Sequence, residues 1–224
     1  PRSLESAGDR IRPLSAWLPA RGGALADRGR DPHALATLVY TSGTTGPSKG
    51  VMLSHRAILW DAEAVQRRIP ARPTDLFLSF LPLAHAFERT VGYYLPMMAG
   101  ACVAYARSIE QLRHDLMVVR PTVLLSVPRV YLAIHTKIGG RGLRRWLFET
   151  TVAVGWQRFQ ARAGHAPQPG PLTRLLWSLL WSLLGPRVAR PVMQRLGGRI
   201  RVAVSGGAPL SPTVARTFIG LGLP

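Results

Sequence analysis

An α/β fold of layered sheets is predicted for this 224-residue chain by three features of its sequence. Short apolar runs rich in β-branched residues alternate with longer segments of helical periodicity almost throughout, which is typical of strands alternating with helices. Several of the helical segments begin with Ser or Pro, residues that favour helix initiation. The apolar content of 47% indicates a buried core and excludes an intrinsically disordered chain.

Two strands, joined by a glycine-rich loop, are predicted at 34–41 and 50–54. Ser54 is then expected to cap a helix that ends near Arg68. The apolar residues of that helix that share one face, and are expected to be buried, are Ile58, Leu59, Ala62 and Val65. The following elements are a strand at 75–83, a helix at 87–100 interrupted near Pro96, a strand at 101–106, and a helix that ends at Val119 and begins with the capping box of Ser108 and Gln111.

The second half of the sequence continues the alternation. We predict a strand at 121–127, a helix at 128–138 with Pro128 in its first turn, a break at 139–145 and a long helix at about 146–163. A loop at 165–171 precedes a strongly apolar stretch at 172–184. The last predicted elements are a strand at 199–205 and a helix that begins at Ser211 and Pro212.

The composition limits the classes of protein to consider. Residues 1–33 are rich in Arg, Gly, Pro and Asp and are predicted to be a linker or a partial N-terminal segment, followed by one incomplete domain at 34–224. The formal charge of +18 indicates an anionic partner or, because all but two of the basic residues are arginine, a compositional bias. The arginines are scattered along the chain, which argues against a nucleic-acid binder. The single cysteine, Cys102, excludes an internal disulfide and is expected to be a buried thiol in an intracellular protein.

The loop between the first two predicted strands is suited to an anion. Its sequence, TSGTTGPSKG (41–50), combines hydroxyl groups, glycines and one lysine. Glycines let the backbone N–H groups approach a phosphate closely, and Lys49 adds a mobile positive charge. The spacing fits neither a Walker A loop nor a dinucleotide-binding loop. A plain hairpin connection remains open on composition alone.

The same string resembles the phosphate-binding loop of the AMP-forming acyl-adenylate synthetases, with Ser48 in place of the usual proline. Three further stretches, SFLPLAHAFERTV (79–91), PTVLLSVPRVY (121–131) and LGGRIRVAVSGGAPLSP (196–212), are similar to the long-chain fatty acyl-CoA synthetase branch. The resemblance covers about 34–224 and is loosest in a helical insert at about 140–195. Leu132 stands where the branch usually has Glu.

This resemblance implies a ligase that joins a long-chain fatty acid to coenzyme A through an acyl-adenylate, using ATP and Mg²⁺. His85 would lie by the substrate carboxylate. The ATP phosphates would be held by Thr41, Ser42, Gly43, Thr44, Thr45, Gly46 and Lys49. Adenine and the acyl-adenylate would contact Ser205, Gly206, Gly207, Ala208 and Pro209. Judged by position alone, His85 is a structural hydrogen-bonding residue, and 205–210 is a turn before a helix.

The family's magnesium-binding Glu and its small C-terminal domain would follow Pro224, so no metal ligand and no independent activity are expected within this chain. The alternatives are a non-catalytic lipid-associated remnant and an adenylate-forming enzyme for another acid. The stretch at 172–184 is too short to span a membrane and is expected to be a core helix or an interfacial helix on anionic lipid. A cytoplasmic protein, peripheral at most, is therefore predicted.

Overall fold

A computed structural model of the chain describes residues 31–41, 47–138 and 142–223. Strands alternate with helices as predicted, and the α/β class is confirmed. In chain order the described elements are β1 (Leu35–Thr41), β2 (Lys49–Ser54), α1 (His55–Arg68), β3 (Leu76–Ser79), a π-helix (Glu88–Tyr94), α2 (Leu95–Ala99), β4 (Cys102–Tyr105), α3 (Leu112–Val119), β5 (Val123–Ser126), α4 (Pro128–His135), α5 (Leu143–Arg162), α6 (Pro171–Arg195), β6 (Val202–Ser205) and α7 (Pro212–Gly220).

The described strands form two sheets. The strands β1 and β2 make an antiparallel hairpin in which Thr41 pairs with Lys49. The other four strands form a parallel sheet in the order β4-β3-β5-β6. Because parallel strands need long connections, each pair is joined by helical segments that cover the faces of the sheet.

Both faces of the parallel sheet are buried, since successive side chains of a strand point to opposite sides. Phe77 and Val123 pack on one face with residues of the π-helix and α2, including Val91 and Leu95. The second face belongs to a larger cluster that includes residues of α3, α4, α5, α6 and α7. Its buried residues are Leu78, Leu112, Leu116, Leu124, Tyr131, Val152, Ala189, Val192, Leu196, Val214, Phe218, Leu221 and Leu223.

Two predictions of burial are wrong. Leu59 is half exposed, whereas Ile58 and Ala62 are buried, because Leu59 lies about 100° around the helix from Ile58, away from the i, i+4 face. Cys102 is exposed rather than buried. It begins β4, which pairs only with β3 in the described sheet and therefore lies at its edge.

Several predicted boundaries also differ. The strand predicted at 75–83 ends at Ser79, because the chain turns there and the N–H of His85 bonds to the carbonyl of Pro82. The helix predicted at 87–100 is a π-helix followed by α2, so the interruption near Pro96 is a change of helix type. Proline lacks the N–H group that a continuous helix would use, which favours such a change.

Helix initiation follows the predicted residues in part. The Oγ of Ser54 accepts a hydrogen bond from the N–H of Ala57 at 3.2 Å, so the predicted cap of α1 is confirmed. The Oγ of Ser108 accepts from the N–H of Gln111 at 3.3 Å, but α3 begins later, at Leu112. Ser211 precedes α7 as predicted, yet its side chain makes no capping bond.

The apolar stretch predicted at 172–184 is the first half of a 25-residue helix, α6. The helix continues past Pro186 and Pro191 because its second half is packed into the core through Ala189 and Val192. It runs antiparallel to α5, since Trp181 lies against Gly155 and Arg158, one turn further along α5, bonds to the carbonyl of Trp177. The predicted helical insert is thus a helix pair, while its limits and those of the domain remain predictions.

A buried ion pair crosses the amino end of the parallel sheet. Asp75 is 3% exposed, and its carboxylate accepts two bonds from the Arg201 guanidinium, one of them 2.8 Å long. It also accepts bonds from the hydroxyl of Thr122 at 2.8 Å and the N–H of Arg72 at 2.7 Å. The guanidinium, as the largest cause, lowers the pKa of Asp75 from 3.8 to about 2. These bonds join the residues that immediately precede β3, β5 and β6.

We expect Asp75→Asn to lower the free energy of unfolding by about 3 kcal/mol at neutral pH, because the replacement leaves Arg201 without its carboxylate. The lowered pKa of Asp75 contributes stability that is full above about pH 4 and lost as the pH falls towards 2. Urea unfolding between pH 2 and 7 measures both effects. Glu63→Gln is the control, because its pair with Arg67 is exposed and should contribute little. Equal losses in the two variants would contradict this prediction.

Candidate functional site

Three strands of the parallel sheet end in serine at the same edge. Ser79 ends β3, Ser126 ends β5 and Ser205 ends β6, and Ser126 is opposite Ser205 in the strand register. The carboxyl edge of an open parallel sheet is the usual place for a ligand, because the loops that follow the strands can move and vary there. Two of the predicted site segments, around His85 and at 205–209, follow strands at this edge.

His85 lies in the exposed turn between β3 and the π-helix. The turn is held by its backbone: the His85 N–H donates to the carbonyl of Pro82 at 3.0 Å, and the His85 carbonyl accepts from the N–H of Arg89 at 3.1 Å. The imidazole makes no hydrogen bond to the described part of the chain and is open to solvent. Its position leaves it able to bind a group outside the described chain.

The segment of His85 directly contacts the loop that follows β6. The backbone N–H of Gly206 donates to the carbonyl of Ser126 at 3.1 Å, which fixes this loop on the sheet. The Phe87 ring then covers Gly206 so closely that a Cβ atom there would lie 2.5 Å from the ring. Gly207 has a φ of +78°, a conformation that favours glycine. Ala208 and Pro209 follow it and are exposed.

Ser205 has an unusual environment. Its Oγ is buried and has no hydrogen-bond partner among the described residues. A buried hydroxyl without a partner costs free energy, so such groups are few in folded proteins and mark sites of binding or strain. The hydroxyl of Ser205 could therefore bond to a ligand or a water molecule at this edge.

The hairpin holds the two ends of the predicted phosphate loop side by side. Thr41 and Lys49 are directly opposite in the register, and the Thr41 hydroxyl donates to the Lys49 carbonyl at 3.4 Å. Lys49 is exposed, so its ammonium group is able to meet an anion. The other predicted phosphate-binding residues, Ser42, Gly43, Thr44, Thr45 and Gly46, lie outside the described residues.

Arg89 connects this hairpin to the segment of His85, and the sequence did not single it out. Its Nη1 donates to the hydroxyl of Thr37 in β1 at 2.9 Å, and its Nε donates to the carbonyl of Leu83 at 3.0 Å. The two bonds span the gap between β1 and the turn after β3. Thr37 and Arg89 are 52 residues apart in sequence, so no local pattern pointed to this link.

Glu88 is a second residue that the sequence reasoning missed. It is 1% exposed, its Oε1 accepts a bond from the Ser79 hydroxyl at 2.5 Å, and its Oε2 has no partner among the described residues. Burial raises the pKa of Glu88 above its ordinary 4.5 against the opposing effect of the Ser79 bond. The carboxyl group lies against Gly92, where a Cβ atom would be 2.6 Å from Oε1. A charged residue in the apolar stretch FERTVGYYLPMM was the available signal.

The described residues contain no group of three His, Cys, Asp or Glu side chains that could hold a metal ion. No ligand for Mg²⁺ is assigned among these residues, and no chemical step is assigned to that ion. Among the same residues, no helix has both the length and the apolar character needed to cross a membrane.

Comparison with known proteins identifies the family. The model of the family described as AMP-binding enzyme matches residues 5–223, and the chain belongs to this family. The resemblance to adenylate-forming synthetases predicted from the sequence is thereby confirmed.

Similar curated proteins belong to the long-chain branch, as the sequence motifs predicted. Long-chain-fatty-acid–CoA ligase 1 of Homo sapiens is 36% identical over 196 residues, which are 84% of this chain and 26% of that protein. Fatty acyl-CoA synthetase A of Dictyostelium discoideum is 35% identical over 82% of this chain and 26% of its own length. Long-chain-fatty-acid–CoA ligase FadD15 of Mycobacterium tuberculosis is 35% identical over 98% of this chain and 35% of its own length. The chain thus spans about a quarter to a third of these relatives.

Solved structures show the same fold. A malonyl-CoA ligase with methylmalonyl-CoA and AMP bound is 23% identical, has a TM-score of 0.54, and covers 89% of this chain and 33% of its own. ATP-bound MatB from Rhodopseudomonas palustris is also 23% identical, with a TM-score of 0.53 over 87% of this chain and 28% of its own. At this sequence identity the similarity supports the fold and does not indicate which carboxylic acid is the substrate.

The structure brings together some of the predicted site residues. Phe87 joins the segment of His85 to Gly206, and Arg89 joins that segment to the hairpin of Thr41 and Lys49. The roles assigned to these residues from the family resemblance stay predictions. The structure adds three residues to the candidate site that the sequence did not single out: Ser126, Glu88 and Arg89.

We expect Gly206→Ala to lower the free energy of unfolding by about 1–3 kcal/mol, because its methyl group would collide with the Phe87 ring. In a Phe87→Ala background the same change should cost much less, since the ring is gone. Urea unfolding of the two single variants and the double variant measures this coupling. Gly170→Ala is the control, because nothing lies within 4 Å of its added Cβ atom. Additive effects of Gly206→Ala and Phe87→Ala would rule out the contact.

We expect Glu88→Gln to stabilise the protein relative to wild type as the pH rises above 4.5. The folded state raises the pKa of Glu88. The contribution of this side chain to stability is therefore present below pH 4.5 and is lost as the pH rises through the folded-state pKa. Glutamine has the same shape and cannot ionise. Thermal unfolding from pH 4 to 8 should show a difference that grows with pH, and a difference independent of pH would contradict the assignment.

Proposed function

We propose that this chain supplies nucleotide- and acid-binding surface to an AMP-forming long-chain fatty acid–CoA ligase. The observation that carries the proposal is the 35% identity to a long-chain-fatty-acid–CoA ligase across 98% of the chain. The paired ends of the hydroxyl-rich loop and the open edge of the parallel sheet are compatible with it. The proposal concerns the whole protein, because the relatives are about three times as long as this chain.

The proposed reaction has two steps. A carboxylate oxygen of the fatty acid forms a bond to the α-phosphorus of ATP, and the bond to pyrophosphate breaks, giving an acyl-adenylate. The sulfur of coenzyme A then attacks the acyl carbon, the bond to AMP breaks, and the thiol proton passes to solvent. Both steps need two anions brought together, so binding and charge neutralisation are the main demands on the protein.

Lys49 and the loop that it follows would neutralise the β- and γ-phosphates of ATP. The loop residues in this proposal are Thr41, Ser42, Gly43, Thr44, Thr45 and Gly46. Thr41 and Lys49 are suited to the task because their pairing sets both ends of the loop at one place. Lysine is effective here as an exposed point charge on a flexible stem.

His85 would orient the fatty carboxylate, and the segment 86–91 would border the acyl chain. Its exposed imidazole and the bonded backbone of its turn support this role, because the ring can approach a ligand while the turn stays in place. Ser205, Gly206, Gly207, Ala208 and Pro209 would contact the adenine and the adenylate. The flat, close packing of Phe87 on Gly206 would place the segment of His85 next to that surface.

Three further parts of the hypothesis come from the sequence alone. Coenzyme A as the acceptor and a cytoplasmic location remain predictions, as does the absence of a nucleic-acid partner. Magnesium would accompany ATP and is given no ligand in the described residues.

We expect Lys49→Met to weaken the binding of ATP at least about 10-fold, because one phosphate loses a charge-assisted bond. Calorimetric titration of the chain with Mg-ATP measures the affinity, and fatty-acid-dependent release of pyrophosphate by the product of the complete reading frame measures the reaction. The matched control is Lys137→Met, which removes the other lysine of the sequence, exposed beyond α4. Equal effects of the two variants, or none, would overturn the role of Lys49.

A further inference from the structure

The outer side of α6 exposes a long row of leucines. The first half of the helix has six leucines with 38–77% of their surface exposed, and they are Leu172, Leu175, Leu176, Leu179, Leu180 and Leu183. At 100° per residue they occupy one side of the helix over an arc of about 140°. We call this side the outer leucine face. A continuous apolar surface over three turns is rare on a protein surface unless something binds to it.

The opposite side of the same helix is already packed against the protein. The Trp181 ring lies against Gly155 of α5 and over the backbone of Gly185, and the Arg158 guanidinium lies 5.4 Å from the centre of that ring. Trp177, one turn earlier, shares this side. The helix therefore has two apolar sides, and its buried residues, Gly185, Ala189 and Val192, lie on the inner one.

The positive charge around the outer leucine face favours an anionic partner. Residues 143–195, which hold α5 and α6, contain eight arginines and one acidic residue, Glu149. Glu149 is already paired with Arg145 at 2.8 Å. The Arg187 guanidinium donates to the Leu183 carbonyl at 2.5 Å, so it lies at the end of the leucine row. Arg190 is exposed on the same side, two turns beyond Leu183.

We propose that the outer leucine face of α6 docks the protein on an anionic phospholipid membrane. The helix would lie in the plane of the surface, with its leucines below the headgroups and Arg187 and Arg190 bonded to lipid phosphates. Helices with an apolar face and arginines beside it bind membranes in this manner, and anionic lipids add to the affinity of each arginine. None of the described helices, α6 included, combines the length and the apolar character needed to span a bilayer.

A membrane fits this surface better than a second copy of the chain. Two copies that met through α6 would bring two strongly basic helix pairs together, and their charges would repel each other. The inference rests on the surface of α6 and does not depend on the proposed ligase reaction. It would hold equally for a protein that binds lipid without catalysis.

The test is co-sedimentation of the chain with vesicles of phosphatidylcholine alone and of phosphatidylcholine mixed with phosphatidylglycerol. We expect binding to the mixed vesicles, at least about 10-fold weaker binding to the neutral ones, and a decrease with added salt. The triple variant Leu176→Gln, Leu179→Gln, Leu183→Gln should lose binding by at least about 10-fold. Arg187→Gln with Arg190→Gln should reduce the preference for anionic lipid and leave the weak binding to neutral vesicles unchanged.

The matched control replaces exposed apolar residues on other helices, with Leu59→Gln, Met97→Gln and Leu132→Gln. This variant should bind mixed vesicles like wild type, and thermal unfolding should show that both triple variants fold. Equal loss in the control would overturn the proposal. A lipid-free dimer that the α6 variant abolishes would also overturn it. So would failure of the product of the complete reading frame to bind vesicles, because the rest of that protein would then cover the outer leucine face.

Discussion

The ion pair between Asp75 and Arg201 is the constraint on which the geometry of the parallel sheet depends. It joins positions 126 residues apart, and the Thr122 hydroxyl completes it from the middle strand. All three residues immediately precede a four-residue strand, so fixing them at one end fixes the other end as well. That other end carries Ser79, Ser126 and Ser205. A one-residue slip of β6 would exchange its two faces and remove Gly206 from the Phe87 ring.

The carboxyl edge is built differently from the amino edge. At the amino edge each polar group of Asp75 is paired, whereas the carboxyl edge leaves the Ser205 hydroxyl and one Glu88 oxygen without partners among the described residues. The π-helix contributes to this difference, because its wider turn brings the Glu88 carboxyl under Ser79 and against Gly92. Wider helical turns of this kind are frequent at functional sites, where they position a side chain at the expense of stability.

Local patterns predicted the element types well and the long-range contacts poorly. Alternation and capping identified the hairpin, the strands and the start of α1, because these depend on neighbours within a few residues. The motif of the glycine loop and the segments around His85 and Gly206 indicated the family. Sequence periodicity could not predict the features that depend on distant partners. These are the ion pair of Asp75, the bond of Arg89 to Thr37 and the π-helix. The length of α6 was missed because core packing of its second half outweighs two internal prolines.

The separation of contacts along the chain also has a kinetic consequence for the way the site is assembled. The hairpin of β1 and β2 closes between residues only 8 apart at Thr41 and Lys49, so little chain entropy opposes its formation. The parallel sheet must bring together segments more than 100 residues apart before Asp75 meets Arg201. The hairpin that holds Thr41 and Lys49 can therefore form early, whereas the parallel sheet requires pairing between segments much further apart in the chain. During synthesis the hairpin would emerge long before Arg201, and for that interval the chain would hold the hairpin without a complete parallel sheet.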